Sequence, residues 1–274
     1  MKWLKRKIGA LGKREKTAFF LFLAVFVFCA FWLTAYQVNA GANERQMADL
    51  RRAAFSSSST AGSAPAAPVA THAESGSSET KPAVIPQFRT LLSKNADIAA
   101  WVQIEGTGIN YPVMQTPYDP EYYLYRNLGK QHESRGLPFL DAASNLLKSG
   151  NYLVYGHNMK DGTAFADLVG YLRKSFYEAH PSIRFDTLYG TGSYRIISVF
   201  RTRVYRQQDR VFKYYRYADL ETREDFDAYV ANVKRMSEYP IGTTAVFGDR
   251  LLTLSTCYEY VPDGRLVIVA KKVG

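Results

Sequence analysis

The chain has 274 residues, 47% of them hydrophobic and 14% aromatic, so it can bury the core of one or two domains. Its net charge of +10 would suit a nucleic-acid-binding protein, but positions 1–16 alone carry seven basic residues and one acidic residue. Residues 17–86 are neutral and residues 87–274 carry 24 basic and 20 acidic side chains, a balance that argues against nucleic-acid binding.

An uncharged, apolar stretch follows the basic tail. Residues 17–38 are rich in Phe, Leu, Val and Ala, and an apolar helix of about 20 residues spans a bilayer. Because basic residues stay in the cytoplasm, residues 1–16 predict a cytoplasmic tail, with everything after the anchor outside the cell. The alternative is a signal peptide cleaved after Ala40. The apolar core exceeds the roughly 7–15 residues of a signal peptide, which favours an uncleaved single-pass anchor.

Residues 39–86 predict an extracellular tether that is largely disordered. Residues 43–55 have the pattern of a short polar helix, and residues 56–86 consist mostly of Ser, Ala, Pro and Thr. This composition buries too little apolar surface to offset the entropy lost on ordering. The segment is therefore predicted to hold a domain away from the membrane.

The composition becomes globular at residue 87, and residues 87–274 predict a mainly β domain with accessory helices. Apolar residues from Phe88 onwards suggest a first helix, and further helices are predicted over residues 165–172 and 222–236. Short β-rich segments separated by turn residues favour a sandwich or a closed barrel. These segments are residues 101–104, 111–114, 137–140, 152–155, 183–185, 194–200, 251–256 and 266–270.

The strand that ends at Cys257 carries the clearest chemical signal. Side-chain alternation along residues 253–257 places Ser255 and Cys257 on the same face. The tripeptide Pro262-Asp263-Gly264 predicts a reversal of the chain shortly afterwards. If the next strand pairs antiparallel with this one, Arg265 at its start lies close to the thiol.

Cysteine usage makes this thiol a candidate nucleophile. Cys29 lies within the apolar stretch, so Cys257 has no disulfide partner in the domain and is a candidate reactive thiol. The alternative is a buried cysteine that packs as a small hydrophobic residue. His157 also follows a short apolar strand, and a thiol, an imidazole and a guanidinium are sufficient for acyl transfer.

Each of the three residues has a defined role in that chemistry. A nearby cation favours the thiolate, which is the attacking form. Arg265 can also donate to the oxyanion that forms at the attacked carbonyl, and His157 can protonate the leaving amine. The alternatives are a structural histidine and a solvated arginine at a strand end, but the combination of all three residues favours catalysis.

Other polar features are less informative. His72, His132 and His180 have no metal-ligand spacing and no cysteine pair exists, so neither a metal site nor a cofactor is predicted. Residues 201–217 mix six basic side chains with apolar ones, a pattern that favours the solvated face of a strand pair. The alternative for that stretch is a wall that attracts anionic polymers or peptide carboxylates.

These motifs resemble those of the sortases, the membrane-anchored cysteine transpeptidases of Gram-positive bacteria. The resemblance covers residues 87–274 and rests on Thr253-Leu254-Ser255-Thr256-Cys257, on Gly156-His157-Asn158 and on Arg265 after a short loop. It is closest to class B, because residues 95–101 followed by 111–113 look like the entry segment of that class. Residues 155–159 with Phe165 and Leu168, and then residues 180–183, look like its histidine region. The helix 222–236 is similar to the extra helix of class B.

The resemblance implies a closed eight-stranded β-barrel with Cys257, His157 and Arg265 at one rim. Cys257 would cleave a C-terminal sorting motif after Thr and hold the acyl group as a thioester. His157 would move the protons of the departing and incoming amines, and Arg265 would stabilise the oxyanion. The acceptor would be an amine of peptidoglycan or a pilin lysine, so that surface proteins become anchored. By position, substrate contacts are predicted from Tyr155, Ser255, Thr256 and Tyr258.

Two other functions fit the same residues. A cysteine protease would pass the acyl group to water, and adding an amine would then not shift the product from acid to amide. A non-catalytic, membrane-tethered binding module would have an inert thiol. Replacement of Cys257 would then have no turnover to abolish, whereas in an enzyme it abolishes turnover and leaves the fold intact.

Overall fold

The computed structural model describes residues 12–56 and 82–274. Most of the predicted cytoplasmic tail and residues 57–81 of the predicted tether lie outside the described residues. The chain divides into two compact units, with the boundary between Asp49 and Leu50. The predicted catalytic domain lies entirely within the second unit.

Helix α1 (Lys13–Ser56) is continuous for 44 residues. Among the described residues, its segment Thr17–Thr34 is the one that is long and apolar enough to cross a membrane. The helix predicted over residues 43–55 is the last part of α1 and not a separate element. No proline interrupts residues 13–56, and the single Gly41 costs about 1 kcal/mol, which is too little to end a long helix.

The last residues of α1 belong to the second unit. Leu50 and Ala54 are buried, and Arg51 Nε donates to the carbonyl oxygen of Asn110 at 3.0 Å. The guanidinium of Arg51 also lies 5.4 Å from the ring centroid of Tyr111. Residues 50–54 are therefore attached to the start of a strand, although they fall within the stretch predicted as a tether.

The second unit is built on a closed barrel of eight strands, as the resemblance implied. The order around the barrel is β1-β2-β3-β4-β7-β8-β6-β5, in which β2–β3 and β4–β7 are parallel and the other neighbours antiparallel. The strands are β1 (Ile98–Gln103), β2 (Asn110–Met114), β3 (Phe139–Leu140), β4 (Asn151–Gly156), β5 (Ser182–Thr187), β6 (Ser193–Arg203), β7 (Leu251–Cys257) and β8 (Gly264–Lys272). Each corresponds to one of the eight predicted β segments.

Among the described residues 82–274, three α-helices and three short 3-10 helices accompany the barrel. The α-helices are α2 (Pro86–Lys94), α3 (Lys174–Ala179) and α4 (Arg223–Met236), and the 3-10 segments are Tyr122–Tyr125, Ala166–Leu172 and Tyr214–Arg216. The predicted helix 222–236 is confirmed as α4, with Thr222 as its cap. The Thr222 hydroxyl accepts from the Asp225 backbone N–H at 3.1 Å, a contact that stabilises a helix by about 1 kcal/mol.

Strands β7 and β8 are buried on both faces. Leu251 and Val267 pack in one cluster with Phe226 and Tyr229 of α4, which covers the outside of the barrel. Because side chains alternate along a strand, Leu252 and the other side chains of its face point to the opposite side, into the barrel. A one-residue slip would exchange these two sets of side chains, so double burial fixes the register of the strands. The residues at the strand ends are thereby held in fixed places.

The prediction of a strand pair over residues 201–217 is wrong beyond Arg203, where β6 ends. Residues 204–213 form a loop around Lys213, whose side chain is buried. Its ammonium donates to the carbonyl oxygens of Arg206 at 2.7 Å and Gln207 at 2.9 Å. A buried ammonium must have such partners, and carbonyls that converge on one point require a curved loop instead of a straight strand.

Candidate active site

Two parallel strands deliver the imidazole and the thiol to the same edge of the barrel. The pairing of β4 with β7 ends with Gly156 opposite Thr256. His157 and Cys257 are the next residues after this last pair, so they lie side by side at the same edge of the barrel. The Cys257 side chain is exposed, as a nucleophile must be.

The guanidinium comes from the neighbouring antiparallel strand. Cys257 is directly opposite Arg265 in the β7–β8 pairing. The predicted reversal between the strands is present, with Asp263 in the left-handed region at a φ of 57°. The Tyr258 N–H donates to the Gly264 carbonyl at 3.0 Å and closes the loop. Strand register therefore brings the three predicted catalytic residues together.

These three residues line one cavity of about 610 Å³. Its floor is the edge of β4 and β7, and its walls come from two long connections. The β2–β3 connection contributes Leu124 and Tyr125, and the β6–β7 connection contributes Tyr214 and Tyr215. A cavity of this size and mixed character is typical of sites that bind small organic or peptide ligands.

A backbone carbonyl and an aromatic ring fix the imidazole. His157 Nε2 lies 2.9 Å from the carbonyl oxygen of Leu124, and the Tyr125 ring centroid is 5.2 Å from that of His157. Since a carbonyl can only accept, Nε2 carries the hydrogen in this bond. The nitrogen left to exchange protons with the thiol or a substrate is therefore Nδ1.

The segment that presents Leu124 is anchored by the buried Tyr123. The Tyr123 hydroxyl donates to Asp97 Oδ2 at 2.7 Å and accepts from Asn95 Nδ2 at 2.7 Å. Lys130 Nζ lies 2.8 Å from the same Asp97 oxygen. This network joins the end of α2 and the start of β1 to the 3-10 helix that orients His157.

Replacement of Asp97 by asparagine should destabilise the protein in a pH-dependent way. Burial raises the pKa of Asp97, but hydrogen bonds from Lys130 and Tyr123 together lower it further, so the net pKa lies below its usual value. Because the pKa of this carboxyl group is lower in the folded state, its ionised form stabilises the fold above about pH 4. This contribution to the free energy of unfolding is lost as the pH falls through the folded-state pKa. We expect Asp97→Asn to lower Tm by roughly 2–4 °C at pH 7 and by progressively less towards pH 3. Thermal unfolding between pH 3 and 7 measures this, and a constant difference in Tm would contradict it.

Gly136 should be required for the orientation of His157. Its φ is +53°, and a Cβ built there would collide with the Leu124 carbonyl oxygen that accepts from the imidazole. We expect Gly136→Ala to lower kcat by about 10- to 100-fold, because small displacements of catalytic groups have effects of this size. Gly248→Ala is the matched control, since Gly248 has a φ of +104° and no atom lies within 4 Å of the place that its new methyl group would occupy. Equal kcat values for the two variants would show that the collision is irrelevant.

Three of the four predicted substrate-contact residues line the cavity. Tyr155 donates from its hydroxyl to Asp141 Oδ2 at 3.0 Å. Burial and the Asp141 carboxylate raise the pKa of Tyr155 far above its usual value, so the phenol stays protonated. Thr256 is 1% exposed, and its hydroxyl donates to the Gly156 carbonyl at 2.8 Å. Both hydroxyl groups are therefore already engaged within the protein.

The remaining two predicted contacts differ in their surroundings. Ser255 lines the cavity but is 1% exposed, and its hydroxyl shares a hydrogen bond of 2.7 Å with Tyr214. Burial raises the pKa of Tyr214 to about 12, although the Ser255 hydrogen bond and the charge of Arg265 oppose this. Tyr258 lies outside this cavity and lines a different one.

Sequence reasoning did not identify several residues of the cavity. Leu124 acts through its backbone, and no side-chain pattern reveals such a role. Tyr125 lies in a tyrosine-rich stretch without a motif, whereas Tyr214 and Tyr215 belong to residues 201–217, for which a ligand-attracting wall was the alternative. Asp141, at the end of β3, carries no motif and is recognisable through its bond to Tyr155.

Comparisons with known proteins all point to one family. A family model described as the sortase domain matches residues 102–273. Sortase B of Staphylococcus aureus is 34% identical over 191 residues, which cover 69% of this chain and 75% of that protein. The structure of an S. aureus sortase B–substrate complex is similar with a TM-score of 0.69 and 29% identity, covering 86% of this chain and 98% of that one. A crystal structure of a sortase B complexed with triglycine gives a TM-score of 0.67 and 28% identity over 85% and 98% of the two chains.

Proposed function

The chain belongs to the sortase family and is a class B sortase, and from this premise we propose that Cys257 forms a thioester with a sorting-signal peptide and transfers the acyl group to an amine. The observation that carries the proposal is the meeting of a thiol, an imidazole and a guanidinium at three adjacent strand ends around one cavity. These are the groups that acyl transfer requires.

In the first half of the reaction the thiolate of Cys257 attacks the carbonyl carbon of the threonine in the sorting motif. The guanidinium of Arg265 donates to the oxyanion of the tetrahedral intermediate. His157 gives a proton from Nδ1 to the leaving amine, and the C–N bond breaks as the thioester remains. The hydrogen bond from Nε2 to Leu124 keeps the ring in position throughout.

In the second half an amine attacks the thioester carbonyl. His157 takes a proton from the amine, the C–S bond breaks, and the new amide leaves. The sortase B complexed with triglycine supports a glycine-type amine as the acceptor. The partners are then surface proteins with a C-terminal sorting signal and a cell-wall amine of peptidoglycan, with a pilin lysine as the other acceptor that fits.

The proposed location follows from the N-terminal helix. The apolar segment Thr17–Thr34 would serve as a single-pass anchor, with the basic residues 1–16 in the cytoplasm and the catalytic domain outside. This arrangement places the thiol in the compartment that contains the cell wall of a Gram-positive bacterium.

The test uses the full-length chain in detergent with a library of fluorogenic sorting-type pentapeptides, with and without triglycine. We expect mass spectrometry to trap a peptide adduct on Cys257, and triglycine to convert the released acid into an amide. An adduct that yields acid alone at every triglycine concentration would identify a cysteine protease. A folded chain with an alkylatable Cys257 and no adduct from any peptide would support the binding module instead.

A further inference from the structure

Cys257 lines a second cavity in addition to the catalytic one. This second cavity has a volume of about 320 Å³ and is lined by Asn158, Lys160, Cys257, Tyr258, Glu259 and Tyr260. Among the described residues that line the two cavities, Cys257 is the one that lines both. A transferase must bring two substrates to one thioester, and two cavities that meet at the sulfur atom match this requirement.

Both walls of the second cavity are held by defined contacts. The loop after β4 is closed by the Phe165 N–H, which donates to the His157 carbonyl at 2.8 Å. The loop after β7 is fixed by the Tyr260 hydroxyl, which donates to the Thr202 carbonyl at 3.1 Å. The rings of Tyr258 and Tyr260 lie 5.7 Å apart at an angle of 30° and form one side of the cavity. The cavity is therefore a formed site and not a gap between loose loops.

The second cavity differs from the catalytic cavity in its charges. Glu259 and Lys160 are exposed, and within residues 82–274 no ion pair or hydrogen bond involves either side chain. The catalytic cavity contains Arg265 next to the thiol, which suits a developing oxyanion. A free carboxylate two residues after the nucleophile instead suits a cation that approaches the thioester.

We propose that the second cavity is the acceptor subsite, in which the Glu259 carboxylate attracts the ammonium group of the incoming peptide amine. This inference rests on the proposed transfer function and adds the place and the charge of the acceptor. Lys160 lines the same cavity, and its positive charge weakens the attraction of a cation to Glu259. The small volume suits an unbranched amine such as the amino terminus of a glycine peptide.

A bound ammonium must lose a proton before it can react with the thioester. The ammonium first gives one proton to water, since the neutral amine is the nucleophile. Its nitrogen attacks the thioester carbonyl carbon and the C–S bond breaks as the C–N bond forms. The second proton passes to His157 Nδ1, which restores the thiolate and the protonated imidazole with which the first half begins. Glu259 binds the cationic form and takes no part in the bond changes.

The test measures the KM for triglycine and the KM for the donor peptide in the full-length chain. We expect Glu259→Gln to raise the triglycine KM by roughly three- to fivefold, as the loss of one exposed charge pair predicts. Lys160→Met should lower the triglycine KM, and both effects should shrink at high ionic strength. The KM for the donor peptide should not change in parallel with the KM for triglycine.

Asp263→Asn is the matched control. It removes the same charge from the same loop, lies outside the second cavity, and keeps a residue that tolerates the positive φ of 57°. Equal triglycine KM values for Glu259→Gln and Asp263→Asn would overturn the subsite while leaving the transfer reaction intact. A parent enzyme that releases acid and never amide would overturn the transfer function, and the acceptor subsite with it.

Discussion

Replacement of Cys257 by alanine should abolish acyl transfer while the barrel remains folded. Loss of a covalent nucleophile lowers turnover by a factor on the order of 10⁴ or more. The side chain is exposed at the end of β7, so its removal leaves no buried cavity and Tm should change little. The measurements are the rate of peptide cleavage, the adduct by mass spectrometry, and thermal unfolding.

Cys29→Ala is the control for this prediction. Cys29 is the other cysteine of the chain and lies in the apolar segment of α1. It should keep full activity and the full yield of adduct. Turnover that survives in Cys257→Ala, or an adduct on a different residue, would place the nucleophile elsewhere. Loss of the folded state in Cys257→Ala would make the thiol structural, which was the alternative left open by the sequence.

The juxtaposition of Cys257 and Arg265 could be predicted because it depends on a local signal. Seven residues separate them, and the tripeptide Pro262-Asp263-Gly264 reverses the chain between two apolar strands. The observed cross-strand pairing is the one that the simplest antiparallel hairpin produces. The eight strands were likewise visible as short apolar runs between turn residues.

The place of His157 could not be derived in the same way. It reaches Cys257 through a parallel pairing of strands that are 100 residues apart, as for Gly156 and Thr256. Nothing in either strand alone specifies its partner, and a parallel pair needs a long crossover connection. Here the connection contains α4, which packs on the outside of the barrel. The resemblance to sortases, and not the residue pattern, supplied this contact in advance.

Hydrogen bonds to backbone carbonyls and the burial of a charged side chain also could not be predicted from the sequence. The Leu124 carbonyl orients His157 from 33 residues away, and any residue type has such a carbonyl. Lys213 looked like one of several solvated basic residues, yet it is 5% exposed and holds a loop through two carbonyls. In both cases the partner is a main-chain carbonyl, which every residue type has, so the sequence does not reveal the interaction.

Replacement of Arg265 by lysine should lower kcat for thioester formation by about 10²- to 10³-fold, although the charge is kept. Removal of an oxyanion donor has effects of this size. The guanidinium is oriented by a hydrogen bond from Nη1 to the Gly264 carbonyl at 2.9 Å, which leaves its other donors for the substrate. A lysine ammonium is a point charge without this fork and cannot reproduce both contacts. The loss should therefore fall on kcat and far less on the peptide KM, as expected for a contact formed in the transition state.

Arg203→Lys is the matched control for the arginine replacement. Arg203 is exposed at the end of β6, opposite Gly264 in the β6–β8 pairing, and it does not line the catalytic cavity. Single-turnover acylation of both variants separates the two arginines under identical conditions. If Arg265→Lys forms the thioester at a rate within threefold of that of the parent enzyme, the positive charge alone is sufficient and the planar fork has no role. If kcat falls as expected for Arg265→Lys and is unchanged in Arg203→Lys, the oxyanion donor is identified, because the strand register gives the thiol one directly opposed guanidinium.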